Sequence, residues 1–90
     1  MEHYPANKTS LAMADDTLTL TSGQADYIEL KSPNGKPIQD IFFFDPQENN
    51  KMTALTGKQY ISDVRWKLWF HNTDPNQSIT LKFFILTRPF

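Results

Sequence analysis

From Val64 to Arg88, apolar and polar positions alternate, stop, and alternate again. Val64, Trp66, Leu68 and Phe70 interleave with Arg65, Lys67, Trp69 and His71; after the polar run from Asn72 to Gln77, the alternation resumes with Ile79, Leu81, Phe83 and Ile85. A period of two predicts strands with one apolar face each. The simplest arrangement is a single antiparallel hairpin with His71 opposite Ser78. Phe70 then faces Ile79, Leu68 faces Leu81, Trp66 faces Phe83 and Val64 faces Ile85, and a one-residue slip would turn one apolar set away from the other.

Upstream, Thr17–Thr21 alternates with its leucines on one side, and Ala25–Lys31 places Ile28 and Leu30 on one face. Both read as strands. The loop Ser32–Pro37 carries Asn34-Gly35, a pair suited to positive φ, and its two prolines predict a connection longer than a minimal hairpin turn. Within Ile38–Asp45, the run Ile41-Phe42-Phe43-Phe44 is apolar on both faces, which predicts a central covered strand or one with a face against a partner. Asp45–Lys51 is a polar loop. Met52–Leu55 reads as a short strand or a helical turn, and Lys58–Ile61 leads into the next run through a bulge or bend near Ser62-Asp63.

Residues 1–16 show no period and read as a flexible N-terminal tail or extension, ordered only if something docks it, with a weak helical turn from Ser10 as the alternative. The expected fold is therefore all-β: one compact antiparallel sandwich, or small open barrel, of about six strands over residues 17–90.

Composition narrows the chemistry. The 90 residues include no cysteine, which excludes disulfides and thiolate metal sites, and carry a net charge of −1. Acids dominate up to Asn50 and bases from Lys51 onward. Acidic and basic strands adjacent in one fold would explain this, as would association between acidic and basic faces. No apolar stretch reaches membrane-spanning length, and the start lacks the basic and apolar regions of a signal peptide, so a cytoplasmic protein is expected.

Catalytic chemistry finds little support. His3 and His71 lie far apart in the chain, and a His71–Asp74 contact across the turn reads more simply as turn stabilisation than as half of a triad. No metal-ligand spacing or Gly-rich phosphate loop is present, so no cofactor is expected. Asn7-Lys8-Thr9 and Asn76-Gln77-Ser78 match the glycosylation pattern, a loose three-residue signal. The outward positions of the hairpin carry more information. Arg65, Lys67, Trp69 and His71 would lie beside Lys82 and Phe84, forming an aromatic and cationic face, with Lys67 opposite Lys82. Such a face suits a non-enzymatic protein–protein interaction module, such as a small inhibitor, adaptor or assembly subunit, with Trp69 and Phe84 as anchors and the cations steering an acidic partner or a second copy. The alternative is a carbohydrate or single-stranded nucleic-acid binder stacking its ligand on the same rings.

Overall fold

The computed structural model describes residues 9–46 and 53–89, among which lie seven strands: β1 (Ser10–Met13), β2 (Leu18–Leu20), β3 (Ala25–Lys31), β4 (Ile38–Phe44), β5 (Thr53–Ser62), β6 (Arg65–Asn72) and β7 (Ile79–Thr87). They form two antiparallel sheets packed face to face, as an all-β sandwich requires. In the first sheet β1 and β4 flank β7, both pairing with its C-terminal half, while β2 pairs with its start from Leu18↔Leu81 to Leu20↔Ile79. In the second sheet β6 lies between β3 and β5.

The expected hairpin of Val64–Arg88 does not form. β6 and β7 are the central strands of different sheets, and they meet across the core rather than through a hydrogen-bonded ladder. Phe70 and Phe83, both fully buried, approach to 5.8 Å between ring centroids, and Phe43 of β4 packs edge-on against Phe70 at 4.9 Å. The inward residues are nevertheless those the alternation picked out, because strands stacked across a sandwich turn their apolar faces to one another just as a folded-over hairpin does. Val64, expected in the strand, sits instead in the two-residue turn between β5 and β6, where Ser62 pairs with Arg65. The irregularity expected near Ser62-Asp63 is present as a register shift between Tyr60 and Ser62.

Asn72 makes the crossing between the sheets possible. It continues the inward series Trp66, Leu68 and Phe70, and its side chain is completely buried. Its Nδ2 donates to the carbonyls of Leu20 (3.4 Å), Thr21 (3.1 Å) and Gln77 (2.8 Å), while its Oδ1 accepts the Asp74 N–H at 3.0 Å. These bonds tie the end of β2 to the arch before β7, and the Thr21 carbonyl also accepts the Gln24 N–H at 3.0 Å. The Asp74 carboxylate accepts from the Asn76 and Gln77 N–H groups, so it holds the arch closed instead of pairing with His71.

Residues 10–13, assigned to the tail on sequence, are a strand of the first sheet. Ser10 to Met13 pair with Thr87 to Phe84, and the buried Thr87 hydroxyl donates to the Ser10 carbonyl at 3.4 Å while accepting from Asn34 Nδ2 at 3.0 Å. A four-residue strand has too little alternation to be distinguished from irregular chain. Asn34 also orders its own loop, its Oδ1 accepting from Ser32 Oγ and the Lys36 N–H, and Gly35 takes a φ of 75°. This loop joins strands of different sheets. The sequence readings at Met1–Lys8, residues 47–52 and Phe90 lie outside the described residues.

β4, apolar on both faces, is an edge strand rather than a covered central one: Ile41 is buried, and Phe42 on the other face is 48% exposed. β3 is also at an edge, with β6 as its one ladder partner. On both strands an aspartate bonds to the main chain beside it: Asp26 Oδ1 accepts the Tyr27 N–H at 2.7 Å, and Asp40 Oδ1 the Ile41 N–H at 2.8 Å.

Candidate functional site

Sequence reasoning placed Arg65, Lys67, Trp69, His71, Lys82 and Phe84 on one face. All six do point away from the core, but the sandwich divides them between its two outer surfaces. Arg65, Lys67, Trp69 and His71 belong to β6 on the outside of the second sheet; Lys82 and Phe84 belong to β7 on the outside of the first. The expected Lys67–Lys82 repulsion therefore does not arise. Lys67 stands between Glu29 of β3 and Gln59 of β5.

On the outside of the second sheet the charges and rings satisfy one another. Arg65 Nε lies 3.5 Å from Glu29 Oε2, so the acidic first half and basic second half of the chain meet along the β3–β6 pair. Lys67 Nζ sits 4.0 Å from the Tyr27 ring centroid and 5.1 Å from the Trp69 ring, a cation shared by two aromatic faces. Opposite Trp69 on β5 is Gly57, where an added Cβ would lie 3.4 Å from the indole Cε3; the missing side chain lets the ring lie against the strand. A substrate would have to displace these contacts to use the cations.

The outside of the first sheet has a different character. Strand register places Leu11, Leu86 and Asp40 in one row, Met13, Phe84 and Phe42 in the next, and Lys82 beside Phe44 in a third. Phe44 stacks on Phe84 at 5.4 Å between centroids, with the rings 18° from parallel. Leu11, Met13 and Phe42 are each about half exposed (58%, 49% and 48%). The six apolar side chains form one patch across three strands. Leu11 and Met13 were missed on sequence because they fell in the presumed tail. The stretch Ser10-Leu11-Ala12-Met13 is too short for its alternation alone to have found them.

A third feature lies at the end of the sandwich where β4 begins and the β5–β6 turn closes, bridged by an Ile38 N–H to Asp63 carbonyl bond of 2.7 Å. A cleft of about 610 Å³ opens there, lined by Pro37, Gln39, Tyr60, Asp63, Trp66 and Arg88 among others. Tyr60, 63% exposed, is held edge-on to Trp66 at 4.6 Å. Among the described residues no group of three His, Asp or Glu side chains is placed to hold a metal ion, and no helix is long and apolar enough to cross a membrane. In comparisons with known proteins, no family model, curated protein or solved structure matches the chain.

Proposed function

We propose that this chain is a non-enzymatic protein–protein interaction module, of the inhibitor, adaptor or assembly-subunit kind, binding through the outer face of the first sheet. The observation that carries the reading is the contiguous patch of Leu11, Met13, Phe42, Phe44, Phe84 and Leu86, aromatic at its centre and bordered by Asp40 and Lys82. Desolvated rings at the middle of a patch with charge at its rim are the arrangement in which a few anchors carry the binding energy. The partner it fits is a protein surface that is apolar at its centre, with an acid to meet Lys82 and a base to meet Asp40. The anchors are accordingly Phe42 and Phe84; Trp69, on the opposite surface, does not take part.

Photo-cross-linking tests this in the cells that make the protein. With p-benzoylphenylalanine in place of Phe42, the full chain is expected to give one discrete covalent product, and with the same group in place of Glu29 on the other sheet, none. A folded protein that yields no discrete product from position 42 would refute the proposal.

The cleft supports a second reading, a binding site for carbohydrate. An exposed aromatic wall at Tyr60 and the polar side chains of Gln39, Asp63 and Arg88 offer a sugar ring both a stacking surface and hydrogen-bond partners of each kind. Nucleic acid is less favoured, because the basic side chains Arg65 and Lys67 are engaged within their own face. In a Trp69→Phe protein, which leaves Trp66 as the fluorophore, methyl glycosides of glucose, galactose and N-acetylglucosamine should cause a saturable change that Tyr60→Ala removes. A flat response to all three argues for abandoning this reading.

A further inference from the structure

The geometry points to a second copy of this chain as the occupant of the patch, in one particular two-fold register. This rests on the reading of the first sheet's outer face as an interaction surface, and it names the partner. In the β4–β7 pair Phe42 is directly opposite Phe84, Asp40 is opposite Leu86 and Phe44 is opposite Lys82. Asp40 and Lys82 therefore occupy opposite corners of a parallelogram whose centre is the midpoint of the Phe42–Phe84 pair. With strands about 4.8 Å apart and residues about 3.4 Å apart along each, the two corners stand roughly 14 Å from each other.

A two-fold axis lying in the interface plane, through that midpoint and perpendicular to the Asp40–Lys82 diagonal, places each copy's Asp40 over Lys82 of the second copy. The same operation sets Phe42 and Phe84 of one copy against Phe42 and Phe84 of the other and brings Leu86 close to Met13 of the second copy. The strands of the two facing sheets then cross at roughly 40°, near the ~30° at which aligned sheets pack. The patch thus meets its own requirement for a partner with an apolar centre, an acid and a base, which is the condition for an isologous contact.

Lys82 forms no ion pair among the described residues. Asp40, with a side chain 44% exposed, is already engaged at its Oδ1, which accepts the Ile41 N–H at 2.8 Å and lies 4.0 Å from Lys58 Nζ, so Lys82 of the second copy competes with a long, part-exposed ion pair. A contact of six apolar side chains per copy lies at the small end of interfaces, below about 1,200 Å² in total, so a reversible dimer with micromolar affinity is expected.

Sedimentation velocity of the purified full chain, run from micromolar to millimolar concentration, is the test. The wild-type chain should pass from monomer to dimer. Asp40→Lys and Lys82→Asp should each weaken the dimer by about tenfold, since each turns attraction into repulsion at both symmetry-related contacts. Mixing the two variant proteins should restore it as a one-to-one heterodimer, in which every facing pair is again opposite in charge. That restoration cannot come from misfolding of either variant. A wild-type chain that stays monomeric at millimolar concentration, a dimer indifferent to both substitutions, or a mixture that forms no heterodimer would each overturn the second-copy assignment. If position 42 in cells instead yields a product with a different protein while the purified chain is monomeric, the interaction-module reading survives and the second copy does not; no product at all ends both.

Discussion

Replacing Asn72 with alanine is expected to lower the unfolding free energy by about 3–4 kcal/mol, an unusually large effect for a polar residue. The substitution removes three donations from Nδ2 and the acceptance from the Asp74 N–H, all at a fully buried position. The Thr21 carbonyl keeps the Gln24 N–H, so the cost comes from the four lost bonds of the buried amide, at about 1 kcal/mol each. Chemical denaturation at room temperature should show a lower midpoint with an unchanged slope. A loss below about 1 kcal/mol would mean that the backbone alone holds the arch.

Phe70→Ala is expected to cost about 3–5 kcal/mol. The Phe70 ring has no exposed surface, is 4.9 Å from Phe43 and 5.8 Å from Phe83, and so joins β6 to both β4 and β7 through the middle of the sandwich. Truncation opens a cavity bounded by two sheets, neither of which can close onto it without breaking its own ladder. For a domain of this size, with stability toward the lower part of the usual range of about 5–15 kcal/mol, the variant should be largely unfolded on modest heating. Phe70→Leu, which keeps most of the volume, should cost far less, and the half-buried Trp69 next in sequence gives the internal control. If Phe70→Ala and Trp69→Ala are equally mild in thermal unfolding, the core has been placed on the wrong side of β6.

These residues also mark what the sequence makes legible. Period-two alternation separates the inward Trp66, Leu68 and Phe70 from the outward Arg65, Lys67 and Trp69 without ambiguity, and the same holds for Ile79 to Ile85 against Thr80 to Leu86. It does not say which strand hydrogen-bonds to which. Strands paired in one sheet and strands stacked between sheets produce the same pattern, and choosing the first joined Lys82 and Phe84 to a face on the wrong side of the molecule. The parity of Asn72 held the missing information: an asparagine at the next inward position, directly before the polar run, is a side chain aimed into the core, where it must find partners. Likewise Leu11 and Met13 gain meaning only once β7 is known to offer them an edge, because a strand of four residues owes its existence to its neighbour more than to its own pattern.

The aspartates on the edge strands β3 and β4 bear on how large an assembly can become. A sheet edge with free main-chain donors is a template that can be extended without limit, each added copy presenting a fresh edge to the next. On β3 and β4 a carboxylate already holds the N–H of the residue after it, at Tyr27 and at Ile41, and an arriving strand would have to expel a charged group to start a ladder there. Strand addition at β3 and at β4 is thereby obstructed, one edge on each sheet, whereas a contact between flat faces consumes the surface that makes it. The exposed phenylalanines of β4 therefore lie on a strand whose own free edge is closed to a ladder.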